Sequence, residues 1–408
     1  MPAPATPDYF PNDAVKFILN LGRALHGYGY DAGRLEDVLG LASRQLGVEA
    51  QFFSTPTSIM ASFGTLDRSR TYMIRVVPGD HDLGKLARID HVVIEVLKGS
   101  MTPTDGSAQI DLIAAAPPTY GPWLMVAAFA LTSGAVTRFL GGGPREILVG
   151  AVLGLVIGVI SMFSGRYAAM TKVFEPVASF AAAFLASAVS HVFPHSVFIA
   201  TLAGLIVLVP GFTLTVAMTE LSTRHLASGT ARMSAAFMTF LGIAFGVALG
   251  NTLAEQFFGP AANLLPTQSP EWLIPLVLLL APLGFVVLLK AEPRDAPWIV
   301  IMGVLAFYAS QLGAIIFGPD LGSFVGAFAV GVGSSVIARL LDRPSQIYLV
   351  PGILLLVPGS VGFRSIAALM DREVVSGIET AFKMVVIAVS IVSGILIARV
   401  VTPRRGTA

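Results

Sequence analysis

Ten runs of mostly apolar residues, each long enough to cross a lipid bilayer, lie between residues 119 and 402. A spanning helix needs about 20 such residues, and the polar breaks between the runs are short. A transmembrane β-barrel would instead show short strands of alternating polarity. We therefore predict a polytopic α-helical membrane protein with ten transmembrane helices, near residues 122–140, 146–164, 173–193, 196–218, 230–251, 271–290, 297–317, 321–341, 345–368 and 376–400.

The charged residues are concentrated before these runs. Residues 1–118 hold 10 Lys/Arg and 13 Asp/Glu, which is 23 of the 51 charged residues in the chain. Helical spacing of apolar residues, followed by three strand-like runs and another helical stretch, predicts a small α+β soluble domain here. A net charge of +1 gives no indication of a nucleic-acid partner. We predict this domain at residues 1–118.

The membrane part contains an internal duplication. A shift of 148 residues without a gap brings nine identities into a window of 26 residues, starting with Gly204 on Gly352. The same shift places each of the first five apolar runs on one of the last five. Because five is odd, the second copy must enter the membrane from the opposite face. We therefore predict two inverted five-helix repeats, at 119–255 and 268–402, an arrangement typical of secondary transporters.

Both copies carry Val-Pro-Gly inside an apolar run, in "GLIVLVPG" (204–211) and "GILLLVPG" (352–359). Proline has no N–H to donate to the preceding turn, and a broken helix in hydrocarbon is tolerated where it is buried in protein or lines a wet cavity. The freed backbone groups can bind a small zwitterion. A kink that serves packing alone is the alternative. The predicted substrate-binding residues beside the breaks are Pro210, Gly211, Thr213, Thr215, Pro358, Gly359, Ser360 and Arg364.

Four stretches resemble the threonine/serine exporter family. They are "LGRALHGYGYDAGRLEDVL", "VEAQFFSTPTSIMASFG", "LIVLVPGFTLTVAMTELSTRHLASGTARMSAAF" and "VPGILLLVPGSVGFRS". The resemblance implies a ten-helix exporter of small amino acids, such as threonine and serine, that is driven by protons. Glu220 matches the acidic position of the family, and Arg232 matches its SGxAR arginine.

Charged residues in membrane segments are functional candidates. Glu220 and Arg232 can hold the ammonium and carboxylate of a substrate, or each other. Glu379 and Lys383 are four residues apart and so lie on one face of the tenth helix. We predict Arg232 in substrate binding and Glu220, Glu379 and Lys383 in proton coupling. The alternative is that these charges extend to water at the interface. Glu255 and Asp320 are interpreted as charges at loop ends.

The distribution of basic residues predicts that both termini are cytoplasmic. With that orientation, eleven Lys/Arg near helix ends lie inside and five outside. The inner set includes Arg166, Arg404 and Arg405. The stretch "MPAPATPDYF" has neither a basic nor an apolar region, so we predict no signal peptide. The predicted location is the inner or plasma membrane.

No motif of a hydrolase, a nucleotide-binding loop or a zinc protease is found, and the chain lacks cysteine. His191 and His195 have no neighbouring acid. We therefore predict no enzyme, no cofactor and no metal site. The favoured function is a secondary transporter that exports threonine, serine or similar amino acids. The alternatives are a membrane enzyme or assembly protein with an active or docking soluble domain, and a passive channel for small polar solutes. A homo-oligomer is left open.

Overall fold

The computed structural model describes residues 12–402, except residues 78, 80, 166, 263, 267 and 268. The stretch tested for a signal peptide, the boundary at residue 268, and Arg166, Arg404 and Arg405 lie outside the described residues. The described residues form two compact units that divide between Pro117 and Pro118. The segment Thr223–Ala231 belongs to the first unit, although the chain on both sides of it belongs to the second.

The described part of the chain is mostly helical, with one small sheet. The helices are α1 (Asp13–Gly27), α2 (Ala32–Gln45), α3 (Leu83–Leu97), α4 (Pro103–Ala115), α5 (Pro122–Phe139), α6 (Pro144–Ser164), α7 (Ala168–Thr171), α8 (Phe174–Ser190), α9 (Val197–Leu205), α10 (Gly211–Ser222), α11 (Leu226–Phe258), α12 (Leu273–Leu288), α13 (Ala296–Phe317), α14 (Gly322–Leu341), α15 (Gln346–Leu354), α16 (Gly359–Met370) and α17 (Val374–Val401). The strands are β1 (Ala50–Thr55), β2 (Ser58–Phe63) and β3 (Arg70–Arg75).

The first unit is an α+β arrangement around an antiparallel sheet in the order β1-β2-β3. Asn12 and Asp31 cap the first two helices, because each side chain accepts a backbone N–H of the first turn. Phe17, Leu35 and Ile59 are almost fully buried and form part of the core. The three predicted strands and the helices before and after them are present. Helix α4, which carries few buried side chains, was not predicted.

Membrane-spanning character in the second unit rests on length and apolar composition. Within the described residues, six helical segments are long and apolar enough to cross a bilayer, and α8 and α12 are apolar but shorter. The chain is therefore a helical membrane protein, while the total of ten spans stays a prediction. The six segments are Pro144–Ser164, Leu226–Phe258, Pro293–Phe317, Gly322–Leu341, Gln346–Met370 and Val374–Val401.

The Val-Pro-Gly motifs at 209–211 and 357–359 each interrupt a helix, as predicted, whereas Pro351 of the Val-Pro-Gly at 350–352 lies inside α15. Helix α9 ends at Leu205 and α10 starts at Gly211, while α15 ends at Leu354 and α16 starts at Gly359. The two broken helices match in length, since α9 and α15 have 9 residues each and α10 and α16 have 12 each. The backbone repeats a further detail, because Arg224 and Arg372, 148 residues apart, both have a left-handed φ, 67° and 63°.

Glycines at fourfold spacing bring helices of the second unit into close contact. A Cβ built on Gly154 would lie 2.7 Å from the carbonyl oxygen of Phe129, and one on Gly246 would lie 2.3 Å from that of Pro176. The equivalent distance for Gly322 and the carbonyl of Ser310 is 2.7 Å. Real Cβ atoms do not approach carbonyl oxygens so closely, so a side chain at any of these three positions would push the two helices apart.

Candidate functional site

The Val-Pro-Gly motifs at 209–211 and 357–359 contact each other directly. A Cβ added to Gly211 would lie 2.4 Å from Cγ1 of Val357, 2.7 Å from Cα of Gly359 and 2.8 Å from its backbone nitrogen. A Cβ added to Gly359 would lie 2.8 Å from Cγ1 of Val209 and 3.3 Å from Cα of Gly211. The start of α10 therefore packs backbone to backbone against the start of α16. The position that a side chain would occupy on either glycine is filled by the other motif.

The polar residues that follow the breaks do not form one cluster. Thr215 is buried and donates its hydroxyl to the carbonyl of Gly211, at 3.1 Å. Thr213 and Ser360 are half-buried. Arg364 is exposed, donates to the carbonyl of Leu140 at 3.3 Å, and its guanidinium lies 6.0 Å from the centre of the Phe198 ring. The Thr215 bond is the ordinary one of a helical threonine to the carbonyl four residues earlier, inside α10.

Glu220 and Arg232 bind each other. Glu220 is fully buried, and both of its carboxylate oxygens accept from Nε of Arg232, at 3.0 and 3.1 Å. The Arg232 side chain is 17% exposed. Of the two sequence interpretations, this conformation shows the mutual ion pair. Glu220 does not extend to water.

Glu379 and Lys383 are both exposed on α17 but do not form an ion pair with each other. Nζ of Lys383 lies 2.9 Å from a carboxylate oxygen of Asp320. Glu379 forms no ion pair with any residue in the described part of the chain. The role in proton coupling was predicted for Glu379 and Lys383 because they share one face of a helix. In the folded protein, Lys383 pairs with Asp320 instead.

A buried carboxylate holds the start of α9, and the sequence reasoning missed it. Glu146 is fully buried at the start of α6, where it accepts the backbone N–H of Gly143 and, with its other oxygen, that of Ser196, both at 2.9 Å. Ser196 precedes the first residue of α9. Glu146 therefore fixes the beginning of the first broken helix to α6. The signal was "PRE" at 144–146, which recurs as "PRD" at 293–295.

A second buried carboxylate, Asp295, lies near the start of the other broken helix and has different partners. Asp295 is buried at the start of α13, pairs with Arg343, and accepts the hydroxyl of Tyr348 in α15 at 3.1 Å. Arg343 also donates to Glu292 at 2.5 Å. Burial alone would raise the pKa of Glu292, but hydrogen bonds from Arg343 and Arg294 outweigh it and hold that pKa below its ordinary value. Asp295 thus anchors the start of the second broken helix.

A cavity of about 380 Å³ lies between α9, the second half of α11, and α16. Its polar lining comes from Ser196, Thr201, Asn251, Glu255 and Asp371. Its apolar lining includes Phe363, which belongs to the same buried cluster as Val209 of the first break. One half of each broken helix therefore contributes to the wall. Sequence reasoning assigned Glu255 to a loop end and did not single out the other polar residues.

Two family models match almost the whole chain. The model described as "Putative threonine/serine exporter" matches residues 16–254, and the model described as "Threonine/Serine exporter, ThrE" matches residues 276–401. The predicted resemblance is therefore confirmed.

The curated relatives include fungal membrane proteins. "Pheromone-regulated membrane protein 10" of Saccharomyces cerevisiae is 26% identical, over 90% of this chain and 48% of its own length. The protein of the same name in Yarrowia lipolytica is 28% identical, over 85% of this chain and 30% of its own. The chain thus spans less than half the length of these relatives. No solved structure matches it.

Proposed function

Because this chain belongs to the threonine/serine exporter family, we propose that it is a secondary transporter that exports threonine, serine or similar small amino acids, driven by the proton gradient. The observation that carries the proposal is the contact between Gly211 and Gly359, where two broken helices meet. Broken helices expose backbone donors and acceptors inside a membrane protein, and transporters use such breaks to bind polar solutes near the bilayer midplane.

The proposed architecture has ten spans in two inverted five-helix repeats, 119–255 and 268–402, after a soluble domain at 1–118. The matched lengths of the broken helices, the shared left-handed φ at Arg224 and Arg372, and the buried carboxylates Glu146 and Asp295 support a duplication. Both termini are proposed to lie in the cytoplasm and the protein in the inner or plasma membrane, because basic residues are more frequent on that side.

The proposed substrate site lies at the interface of the two repeats, beside the breaks. Its members are Pro210, Gly211, Thr213, Thr215, Arg232, Pro358, Gly359, Ser360 and Arg364. The packed crossing of Gly211 on Gly359 would then be a closed state that must separate during transport. Such a change between two packed arrangements is how rigid segments alternate access to a central site.

Glu220 is the strongest candidate for proton coupling, and Glu379 and Lys383 are the others. Glu220 is fully buried and forms an ion pair with Arg232. Only the ionised carboxylate of Glu220 can hold the ammonium of a substrate, so protonation of Glu220 would release the substrate. Proton and substrate then compete for Glu220, as the exchange of one for the other across the membrane requires.

Proteoliposomes loaded with labelled threonine test the function. We expect efflux that accelerates when an inward-directed proton gradient is imposed and that collapses with a protonophore. A passive channel would give flux that follows the threonine gradient alone. A membrane enzyme or assembly protein would give no flux, and either result would overturn the proposal.

Single cysteines test the orientation, because the chain has none of its own. A cysteine at Ser196 should react with a membrane-impermeant reagent from outside, and one at Lys172 from the cytoplasmic side only. Reaction of the Ser196 variant from the cytoplasmic side alone would contradict the inverted arrangement.

A further inference from the structure

The cavity between α9, α11 and α16 has the properties of a binding site for a zwitterion. Its volume of about 380 Å³ is within the range of small-molecule pockets in proteins. It is lined by α9 of the first repeat and α16 of the second, so movement at the crossing of the two breaks would change its shape.

The hydroxyl of Thr201 is the first indication of a ligand. Thr201 lines the cavity, is 3% exposed, and its Oγ1 has no hydrogen-bond partner among the described residues. Two buried threonines in apolar helices, Thr137 and Thr215, each donate to the carbonyl four residues earlier. Within the described part of the chain, Thr132 of α5 is also buried without a partner for its Oγ1, but it does not line the cavity. A buried hydroxyl without a partner is unfavourable and uncommon, so a donor and acceptor remains available to a bound solute.

The amide of Asn251 offers a second donor. Its Oδ1 accepts the hydroxyl of Ser187 at 3.0 Å, which leaves the Nδ2 hydrogens without a partner among the described residues. Asn251 lies on the same wall of the cavity as Glu255, one turn earlier in α11. The amide N–H of Asn251 and the hydroxyl of Thr201 are groups that can donate to a carboxylate.

The charged groups of the lining are all acidic. Glu255 and Asp371 border the cavity and are exposed, and neither forms an ion pair with a described residue. No lysine or arginine is found among the described residues that line it. Carboxylates that lack a protein cation favour a solute that brings its own positive charge, and they disfavour one that carries negative charge alone.

We propose that this cavity is the outer amino-acid site, in which Glu255 and Asp371 accept hydrogen bonds from the substrate ammonium while Asn251 and Thr201 donate to its carboxylate. The assignment rests on the proposed function as an amino-acid exporter, and it adds a selectivity rule. An α-amino acid binds, whereas a mono- or dicarboxylic acid without an ammonium group does not.

Binding of L-threonine to the full-length protein in detergent tests the assignment, with 3-hydroxybutyrate as the probe that lacks the ammonium. The double variant Glu255→Gln/Asp371→Asn should raise the Kd for threonine at least tenfold, because charge-assisted hydrogen bonds are lost. Thr201→Val should weaken threonine binding with the acidic pair intact. The matched control is Glu271→Gln, an exposed carboxylate that does not line the cavity, and it should leave Kd unchanged.

A second measurement does not depend on affinity. Ala248 lines the cavity and is half-buried, so Ala248→Cys places the only thiol of the chain in its wall. A cationic thiosulfonate reagent should react with it faster than an anionic one of similar size, and added threonine should slow both. Equal rates for the two reagents would overturn the charge argument.

The outcomes separate the two proposals. Threonine binding and transport that persist unchanged in the double variant would overturn this site and leave the proposed function standing. Wild-type protein that neither binds nor transports an amino acid would overturn the proposed function and this assignment together.

Discussion

Replacing Gly211 with alanine tests whether the crossing of the two breaks is as tightly packed as the structure shows. The new Cβ would lie 2.7 Å from Cα and 2.8 Å from the backbone nitrogen of Gly359. Carbon atoms at their optimal separation are about 3.5–4.0 Å apart, so α10 and α16 would have to separate by roughly 1 Å. Backbone cannot rotate away as a side chain can.

The expected cost follows from this geometry. Overpacking a well-packed core costs about 1–3 kcal/mol, and a clash with backbone belongs in the upper part of that range. Replacing a helical glycine by alanine returns at most about 1 kcal/mol. The net loss of unfolding free energy for Gly211→Ala is therefore about 1–2 kcal/mol. At roughly 2–4 °C per kcal/mol, the apparent Tm in detergent should fall by about 2–8 °C.

The same substitution at the partner glycine, Gly359→Ala, should lower the free energy of unfolding by less than Gly211→Ala does. In Gly359→Ala, the nearest atom is the side-chain Cγ1 of Val209, at 2.8 Å, while the backbone of Gly211 is no closer than 3.3 Å. The additional change Val209→Ala should therefore restore part of the lost Tm. For Gly211→Ala, Val357→Ala should restore little, because the clash with backbone remains.

Gly165→Ala is the matched control, since its φ is −62° and its added Cβ would meet only a carbonyl oxygen at 3.9 Å. It should leave Tm unchanged. An unchanged Tm in Gly211→Ala, or a larger loss in Gly359→Ala, would refute the reasoning. A normal Tm with lost transport and no threonine-induced shift would instead favour a direct role of the glycine in ligand binding.

The remaining predictions concern three buried or partly buried carboxylates. Glu220→Gln leaves the guanidinium of Arg232 without the carboxylate it pairs with, so we expect the free energy of unfolding to fall by about 3–5 kcal/mol and proton-driven export to be lost. If the effects of the two single variants simply add in Glu220→Gln/Arg232→Gln, the two residues do not interact. Glu146→Gln turns an amide NH₂ toward one of the two backbone N–H donors, which should lower the free energy of unfolding by about 1–3 kcal/mol. Hydrogen exchange should become faster at the start of α9 but not at the start of α15. Equal effects on both helices would contradict the anchoring role of Glu146. The pKa of Glu292 is lowered in the folded state, so its pairing stabilises the fold above the ordinary pKa of 4.5, and this stability is lost as pH falls through the folded pKa. The Tm difference between wild type and Glu292→Gln should therefore be largest near neutral pH and vanish in acid. A Tm difference that is independent of pH would contradict this stabilising role of the Glu292 charge.

Several features could be predicted because they depend on the chain locally. Long apolar runs with few charges are compatible with membrane-embedded helices and with little else, and the absence of a proline N–H interrupts a helix wherever the surroundings do not force continuity. The breaks at Pro210 and Pro358 are therefore visible in both sequence and structure. The caps at Asn12 and Asp31 follow equally local rules. The family resemblance added the partnership of Glu220 with Arg232 as one of two alternatives.

Other features depended on which segments the fold brings together. Lys383 and Glu379 share a helical face, yet Lys383 binds Asp320, which is distant in sequence. Glu146 was missed because its partner is the backbone of Ser196, 50 residues away, and a backbone donor leaves no trace in residue identity. The polar lining of the cavity is likewise spread over three helices.

The amino-acid sequence by itself thus determined that this is a helical membrane protein in which Pro210 and Pro358 each mark a broken helix, because hydrocarbon leaves a chain few ways to satisfy its backbone hydrogen bonds. Only the tertiary structure showed that the two breaks contact each other. Gly211 and Gly359, at the starts of α10 and α16, pack so closely that a methyl group added to either one would collide with the other motif. Packing of that kind is a property of two surfaces together, and neither motif alone contains it.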